Sequence, residues 1–413
     1  MGERVAIIGA GVVGLACATQ LQMRGHSVTI IDPRPPGEYC SFGNAGCLSR
    51  ASCVPLGLPG LWRQVPRWLL DPSGPLHIRW RHLRALAPWL WRFQRSSSPA
   101  QVARIADALH ALLTVTLVKW RPLAERAGVP ELIVQRGYAF AYESDAAFDA
   151  DALGRAIRTE HQVRIDVLRG PDIIAFDPVL SPNLTHLVVL PEQGHCPNPL
   201  RLSQALANRL RESGATFIAE SAVAFDRVDG RVVAVRTAGA KTATDAVVVA
   251  AGAHSAALAS QLGNDVPLTT ERGYHVMLES PTVMPRAPIA SGEGKYFATP
   301  MEGGLRIAGT VELASLDEPP DHRRADALLA KAQRLFPGLR GERLTRWMGH
   351  RPSLPDSLPV IGRSRTARNA LLAFGHGHVG LTAAAPTADI VADLIAGREP
   401  FIDIAPYAAE RFS

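Results

Sequence analysis

Residues 5–32 constrain the fold more than any other part of the chain. A short apolar run at 5–8 enters residues 9–14, which read G-x-G-x-x-G, and a helical pattern follows. A second apolar run, Ser27–Ile31, ends on Asp32. Strand, glycine turn, helix, strand and terminal acid together predict a βαβ unit of a parallel sheet whose turn holds the pyrophosphate of a dinucleotide.

Each position of this motif has a predicted task. Gly9 makes the tight turn, Gly11 lets the backbone approach the phosphates, and Gly14 lets the helix pack closely on the strand. The free N–H groups and the positive dipole end of the helix, at Val12 and Val13, are expected to hold the phosphates.

The acid that ends the second strand is expected to bind the adenosine ribose. Asp32 would accept hydrogen bonds from the ribose, and its charge would repel a 2′-phosphate. Pro33 and Arg34 follow it at the same rim. A membrane or signal segment is the alternative for the uncharged residues 5–21. Three glycines at functional spacing, a single preceding basic residue (Arg4) and the lack of a cleavage site argue against that alternative.

Length and composition limit the remaining possibilities. A chain of 413 residues accommodates two domains, and no run of about 18 apolar residues lacks glycines and polar breaks. The five cysteines form no C-x-x-C pair, which is typical of buried thiols and argues against a zinc, iron–sulfur or other metal site. The net charge of +6 is mild. We expect a cytoplasmic protein.

Residues 56–95, here called the Trp/Arg segment, are rich in tryptophan and arginine. The segment contains a single acid, Asp71. It contains five tryptophans and seven arginines: Trp62, Trp68, Trp80, Trp89, Trp91, Arg63, Arg67, Arg79, Arg81, Arg84, Arg92 and Arg95. This composition is what a peripheral contact with the inner face of the cytoplasmic membrane needs, with rings at the headgroups and cations on anionic lipid. It also fits docking on another subunit, a packed helical excursion with snorkelling arginines or, least favoured, nucleic acid phosphate.

The middle of the chain predicts a second sheet. Residues 137–142, 273–278 and 305–311 alternate as strands of an antiparallel sheet, and residues 101–127 read as one long amphipathic helix. The chain then returns to the first unit, with a small hairpin that is predicted to turn at Asp229 and Gly230. Residues 245–255 predict a buried strand followed by a turn at Ala251 and Gly252 that passes over the nucleotide.

A second G-x-G-x-x-G, residues 375–380, follows the apolar run Ala370–Phe374 and opens a helix. We reject a second dinucleotide site, because the only acid at a suitable distance, Asp403, does not end a core strand. We expect this helix N-terminus to face the pyrimidine edge of a flavin, where negative charge collects on reduction. His376 and His378 are then candidates near the flavin.

Two further stretches suggest ligand contacts. Residues 40–49 are small and amide-rich, which suits a loop close to a cofactor, with Ser41 and Asn44 donating to it; an ordinary surface loop is the alternative. Arg351, fixed ahead of Pro352, offers a planar fork for a substrate carboxylate.

The whole chain resembles the D-amino acid oxidase-like FAD oxidoreductases. The matching stretches are 5–32, 41–49, 246–255, 296–312, 349–362 and 374–382. The loop at 41–46 and the Trp/Arg segment are most similar to those of bacterial D-amino acid dehydrogenases, including the D-hydroxyproline-type branch.

The resemblance implies an α/β plus α+β fold. A Rossmann-like FAD-binding domain, formed by residues 1–95, 191–265 and 341–413, would be combined with a discontinuous antiparallel-sheet substrate domain. The substrate domain would comprise residues 96–190 and 266–340.

The resemblance also implies roles for individual residues. Arg351 would bind the substrate carboxylate together with a tyrosine hydroxyl, since Tyr274 and Tyr296 lie on strands that face the flavin in the family. The Val223 backbone would lie near adenine. The residues expected to bind FAD are Gly9, Gly11, Val12, Val13, Gly14, Asp32, Pro33, Arg34, Ser41, Asn44, Ala45, Gly46, Cys47, Val223, Ala251, Gly252, Arg351, Gly377, His378, Val379, Gly380, Leu381 and Thr382. No cysteine lies in residues 349–362, so we expect non-covalent FAD.

The implied reaction is oxidation of a D-amino acid, including the D-proline or D-hydroxyproline type, by hydride transfer to flavin. Electrons would pass to a membrane or protein acceptor such as a quinone or a partner subunit. The alternatives are an oxidase of glycine, sarcosine or an opine, the flavin subunit of a hetero-oligomeric dehydrogenase, and a flavoprotein that modifies nucleic acid.

Overall fold

The computed structural model describes residues 2–63, 65–71 and 74–413, and the side chain of Arg67 lies outside the described part. The strands are β1 Arg4–Ile8, β2 Ser27–Ile31, β3 Cys47–Leu48, β4 Leu76–Ile78, β5 Tyr138–Tyr142, β6 Asp166–Leu168, β7 His186–Leu190, β8 Gly194–His195, β9 Thr216–Ile218, β10 Ala224–Val228, β11 Arg231–Arg236, β12 Lys241–Ala243, β13 Ala246–Val249, β14 Thr269–Glu279, β15 Ile289–Ser291, β16 Tyr296–Met301, β17 Gly304–Leu313, β18 Arg343–Ser353, β19 Val360–Arg363 and β20 Ala370–Phe374. The helices are α1 Val12–Met23, α2 Val65–Leu70, α3 Leu83–Ser96, α4 Pro99–Leu113, α5 Thr116–Arg126, α6 Asp145–Ala150, α7 Ala152–Glu160, α8 Pro171–Phe176, α9 Pro199–Glu212, α10 Ser255–Gln261, α11 Arg323–Leu335 and α12 Gly380–Ile395.

The first sheet has the order β19-β20-β13-β1-β2-β9, and only β19 runs antiparallel to its neighbour. Its strands are apolar because both faces are covered. Helices α1, α9 and α12 pack on one face, and the small sheet β10-β11-β12 with α10 packs on the other. The predicted βαβ unit and the hairpin that turns at Asp229 and Gly230 are confirmed.

The large sheet has the order β18-β14-β17-β16-β15-β5-β7-β6, with β4 added beside β17. Side chains alternate between its two faces. One face, here called the helix face, packs Val276, Ile307 and their neighbours against Leu328 and Leu335 of α11. The other face, here called the cavity face, is turned toward the first sheet.

The predicted single helix at 101–127 is wrong in one respect, because it is divided into α4 and α5 by a turn at Thr114 and Val115. The hydroxyl of Thr116 donates to the carbonyl of Leu113 at 2.7 Å and replaces a helical N–H there. In the described residues, Pro99–Arg126 is one helical stretch long and apolar enough to cross a membrane by length and composition. Its apolar side packs in the hydrophobic core beside the first sheet, and 44% of its most apolar 18-residue stretch is buried.

Two predicted domain boundaries differ from the packing. Helices α4 and α5 pack against α12, α9 and α1 of the first unit, although residues 96–190 were assigned to the substrate domain. Strand β18 pairs with β14 in the large sheet, so the chain returns to the first unit after Ser353 and not at residue 341. An amphipathic pattern shows that a segment is half-buried, but it does not show which neighbour covers it.

Candidate active site

A cavity of about 1650 Å³ lies between the first sheet and the large sheet. Ligand pockets commonly measure roughly 300–1,000 Å³, so this one has room for a dinucleotide together with a small second molecule. Every residue predicted to bind the cofactor or the substrate lines it, except Gly14 and Gly46, which lie directly behind it.

The first glycine turn forms the cradle that the motif predicts. Gly9 has φ +113°, and a Cβ there would lie 2.4 Å from the Ala250 carbonyl oxygen. A Cβ on Gly14 would lie 2.0 Å from the Gly9 carbonyl oxygen, so α1 can approach the turn this closely only with glycine. A Cβ on Gly11 would meet only the Ser41 hydroxyl, at 3.5 Å, so its outer side is free for a phosphate.

We expect Gly14→Ala to weaken FAD binding by roughly 5- to 150-fold, because relieving such overpacking typically costs about 1–3 kcal/mol. Fluorescence titration of the apoprotein with FAD measures the change. Gly303→Ala is the matched control, since a Cβ there meets nothing within 4 Å. Equal affinities for the two variants would contradict the packing role of Gly14.

The rim of the first turn is held by hydrogen bonds. The Asp32 carboxylate accepts from the N–H groups of Ala10 at 2.7 Å and Arg34 at 2.9 Å, which fixes it at the carboxyl end of β2. The Val223 backbone also lines the cavity, although its N–H donates to the Arg236 carbonyl and its own carbonyl accepts from Gln261.

The loop at 40–49 lies against the start of α1 and not on the open surface. The Ser41 hydroxyl oxygen accepts from the Val12 N–H at 2.9 Å, so this N–H, which was predicted to be free for the phosphates, already has a partner. The buried Arg306 guanidinium donates to the carbonyls of Phe42 at 2.8 Å and Asn44 at 2.6 Å. These contacts hold Ser41 and Asn44 at the cavity, as the interpretation of a cofactor loop requires.

The two histidines of the second glycine turn differ in their surroundings. His376 is buried, its ring bonds the Thr387 hydroxyl at 3.0 Å, and burial lowers its pKa to about 3. His378 lines the cavity, and its Nε2 lies 2.7 Å from the Glu271 carboxylate. Both histidines line the cavity, but the His376 residue is only 3% exposed, whereas the side chain of His378 is 32% exposed.

Arg351 is held in the cavity by its neighbours in the large sheet. It pairs directly with Glu271 across β18 and β14, and its Nη1 donates to the Thr310 carbonyl at 2.9 Å. Its guanidinium covers Gly273, where a Cβ would lie 2.2 Å from the guanidinium carbon. Burial lowers the pKa of Arg351, and the charge of Glu271 opposes that shift.

Glu271 is a site residue that the sequence analysis missed. Its carboxylate accepts from the Ser353 hydroxyl at 2.7 Å and also bonds His378. Burial opposes ionisation, but the hydrogen bonds of His378 and Ser353 and the charge of Arg351 leave the pKa of Glu271 lowered. A glutamate within a buried strand could have indicated this role, but its partners Ser353 and His378 are distant in the sequence.

The structure does not place Tyr274 beside Arg351. Residues alternate along β14, so Tyr274 points to the helix face while Glu271 and Gly273 point to the cavity face. Its hydroxyl donates to Glu312 and accepts from the Asp321 N–H at 3.1 Å, and burial raises its pKa to about 12.

Tyr296 also lies on the helix face, because it and Tyr274 flank Gly309 in the register of three neighbouring strands. Burial raises the pKa of Tyr296, and the neighbouring Ser291 side chain opposes that shift. Both tyrosines border branches of the cavity, but neither shares the face that carries Arg351.

A second ionic group that the sequence analysis missed surrounds Glu312 on the helix face. The Glu312 carboxylate lies 2.8 Å from Arg79, 3.4 Å from Arg272 and 3.8 Å from Arg324. This group ties the Trp/Arg segment to the large sheet, since Arg79 belongs to that segment.

The cavity face carries an aromatic wall. Residues that pair directly across neighbouring strands form one row on this face: Trp347, His275, Ala308, Phe297, Ala290 and Phe140. Phe140 and Phe297 meet edge to face with their ring centroids 6.2 Å apart. The two alanines between the larger side chains leave a hollow that suits an apolar group.

The cysteines at the cavity are neutral thiols. Burial raises the pKa of Cys40 and of Cys47 to about 12. Non-covalent attachment of FAD stays a prediction. In the described part of the chain, no group of three or more histidine, cysteine, aspartate or glutamate side chains is arranged to hold a metal ion.

Comparisons with known proteins agree with this geometry. The chain is 43% identical to a D-amino-acid oxidase of Bradyrhizobium diazoefficiens, over 100% of this chain and 99% of that protein. It is 32% identical to D-amino acid dehydrogenase 2 of Ralstonia nicotianae, over 99% and 100% of the two chains.

Solved structures share the fold. Glycine oxidase from Geobacillus kaustophilus superposes with a TM-score of 0.76 at 22% identity, covering 98% of both chains. L-proline dehydrogenase from P. horikoshii superposes with a TM-score of 0.75 at 18% identity, covering 100% of this chain and 98% of that one. The predicted α/β plus α+β fold class is confirmed.

The family model described as FAD dependent oxidoreductase matches residues 4–394. The residues present fit FAD. The tight glycine turn leaves no room for a Cβ at Gly9 or Gly14, the face of Gly11 is open, and the Asp32 carboxylate is fixed beside the turn. The predicted family and cofactor are confirmed. The chain belongs to the DAO family of FAD dependent oxidoreductases.

Proposed function

We propose that this protein oxidises D-amino acids with an apolar or cyclic side chain to the corresponding imino acids. The observation that carries the proposal is Arg351, a guanidinium fixed over Gly273 in a cavity that also holds the FAD cradle. The 43% identical relative named D-amino-acid oxidase, which aligns over the whole chain, supports the substrate class and the handedness.

The side chains supply binding and orientation. Arg351 presents the fork that binds the substrate carboxylate, and the wall formed by Phe297 and Phe140 receives the side chain. Holding both ends of the molecule fixes where its α-hydrogen points. When bound, FAD supplies the acceptor for a hydride. The imino acid then hydrolyses to a 2-oxo acid and ammonia, whereas a cyclic imine persists.

Anaerobic bleaching of the flavin tests this function. We expect D-amino acids such as D-proline, D-hydroxyproline, D-alanine and D-phenylalanine to bleach it, and their L-enantiomers to leave it oxidised. Bleaching by glycine, sarcosine or octopine alone would replace the proposal with one of those oxidase activities. No bleaching by any of these amines would contradict amino acid oxidation altogether.

We further propose that the electrons leave to an acceptor at an anionic membrane surface, and that the Trp/Arg segment makes the contact. Three of its tryptophans are buried or half-buried, but Trp80 and Trp91 are 71% and 57% exposed, and Leu70 is 84% exposed. The Arg95 guanidinium lies 4.8 Å from the Trp91 ring centroid. Exposed aromatic rings beside arginines suit a lipid interface.

Vesicle co-sedimentation tests the membrane contact. We expect the FAD-loaded protein to bind vesicles containing phosphatidylglycerol, to bind neutral phosphatidylcholine vesicles at least tenfold more weakly, and to be released by salt. The double substitution Trp80→Ser and Trp91→Ser should lower binding at least tenfold. Val228→Ser, which removes an apolar side chain 56% exposed on β10, is the matched control. Equal binding to both vesicle types would contradict the proposal and favour a partner subunit.

A further inference from the structure

We propose that His378 accepts the proton that the ammonium group of the substrate must lose, and that Glu271 positions His378 for this step. The inference rests on the proposed oxidation of amino acids. It assigns a role to the pair of side chains that lies beside Arg351 in the cavity.

The chemistry demands such an acceptor. An amino acid at neutral pH carries an ammonium group, which has no lone pair with which to form a C=N bond. One N–H bond must break before or during oxidation, with its electron pair left on the nitrogen and its proton moved to a base. That step alone is redox neutral, because the two electrons of the oxidation leave with the α-hydrogen to FAD.

His378 presents the right atom. Its Nε2 lies 2.7 Å from the Glu271 carboxylate, so the proton of the neutral ring resides on Nε2 and the lone pair on Nδ1. The side chain is 32% exposed and lines the cavity, whereas that of Glu271 is only 5% exposed. The histidine is therefore the member of the pair that a substrate can touch.

The surroundings of Glu271 keep it in place and charged. Ser353 donates to one carboxylate oxygen and His378 bonds the other, while Arg351 lies opposite on β18. Among the described residues, the titratable groups that act on Glu271 are His378 and Arg351, and the neutral Cys40 thiol lies beside Arg351. A proton taken up by His378 then forms an ion pair with Glu271 in a largely buried site, which stabilises the transfer.

The neighbouring histidine shows that this arrangement is particular to His378. His376 is two residues away in the same turn, but its ring bonds only the neutral hydroxyl of Thr387 and is buried. A histidine of this turn can therefore be held in place by a neutral hydroxyl, without a carboxylate partner.

The first test is the pH dependence of anaerobic flavin bleaching. We expect His378→Gln to slow bleaching by D-amino acids by about 100-fold or more near pH 7, the usual size of general base catalysis. The rate should rise with pH and approach that of the wild type at alkaline pH, where the free amino acid has already lost its proton. A deficit of the same size at every pH would overturn the proposal.

Glu271→Gln separates positioning from folding. It preserves the shape of the side chain and the contact with Ser353. We expect it to change the pH at which the bleaching rate falls on acidification, without loss of bound FAD. Asp107→Asn is the matched control, because Asp107 bonds the ring of His161 at 3.0 Å outside the cavity. An unchanged pH profile in Glu271→Gln would contradict the positioning role.

The second test uses binding alone. 2-Aminoisobutyrate carries the ammonium and carboxylate groups but no α-hydrogen, and isobutyrate lacks the amine. Perturbation of the flavin spectrum should show wild-type affinity for 2-aminoisobutyrate falling by up to tenfold per pH unit as the pH is lowered, because an acceptor that already carries a proton cannot take the ammonium proton. Isobutyrate should show no such fall, nor should 2-aminoisobutyrate with His378→Gln. Equal pH slopes in wild type and variant would overturn the contact.

The two proposals fail in different ways. If no D-amino acid bleaches the wild-type flavin, the proposed function is wrong. If D-amino acids bleach the wild type and His378→Gln runs parallel to it at all pH values, only the proton-acceptor role is wrong.

Discussion

Arg351→Ala should retain FAD and lose most oxidation of amino acids, with kcat/KM falling by roughly 150- to 5,000-fold. Truncating one member of a buried, hydrogen-bonded charge pair costs about 3–5 kcal/mol, and each 1.36 kcal/mol is a factor of ten in rate. The guanidinium is held by the Thr310 carbonyl and covers Gly273, so its fork is already oriented before a carboxylate arrives.

The control for this variant lies on the same strand. Arg343→Ala removes an exposed arginine that pairs with Glu279 at 2.9 Å, and it should leave kcat/KM unchanged. Arg351→Lys should recover only part of the loss, because an ammonium group cannot form the two parallel hydrogen bonds of the fork. Flavin absorbance of the purified variants checks that FAD is retained. Turnover of Arg351→Ala within a few-fold of the wild type would show that the substrate carboxylate is bound elsewhere.

Acidification from pH 6.5 toward pH 4 should destabilise the protein steeply. Four buried histidines have their pKa lowered from the ordinary value of 6.5 by burial: His195 to about 4, His275 to about 3, His350 to about 4 and His376 to about 3. Each is neutral in the folded protein and gains a proton on unfolding.

The sign follows from proton binding. Between the folded and unfolded pKa values the unfolded state binds more protons, so the free energy of unfolding rises with pH and falls as the pH drops below 6.5. One proton corresponds to about 1.36 kcal/mol per pH unit, and four histidines give an upper value of about 5 kcal/mol per pH unit. Since a domain is stabilised by only about 5–15 kcal/mol, unfolding is expected well above pH 4.

Urea unfolding at saturating FAD between pH 8 and pH 5, followed by tryptophan fluorescence, measures this effect. His376→Gln keeps a donor for Thr387 and should reduce the proton uptake on unfolding by up to one. His322→Gln, at an exposed position, should leave it unchanged. A free energy of unfolding that is independent of pH between 5 and 7 would contradict the burial of neutral histidines.

The sequence by itself determined the local units of the fold. The glycine spacing at 9–14 specified both the turn and the close approach of α1, because a side chain at Gly14 would collide with the backbone at 2.0 Å. The hairpin at Asp229 and Gly230 was readable because both residues take positive φ, as a tight two-residue turn requires. The spacing of apolar residues and the residue types of a tight turn concern only a few neighbouring positions, so they can be recognised in a single sequence.

Only the tertiary structure decided which side chains share the cavity. Glu271 reaches Arg351 because β14 and β18 pair in one register, and Tyr274 turns to the opposite face because it stands an odd number of positions away. The different hydrogen-bond partners of His376 and His378, which are Thr387 and Glu271, likewise come from distant parts of the chain. Strand register and helix docking are set by the summed burial of distant segments, which no local pattern contains.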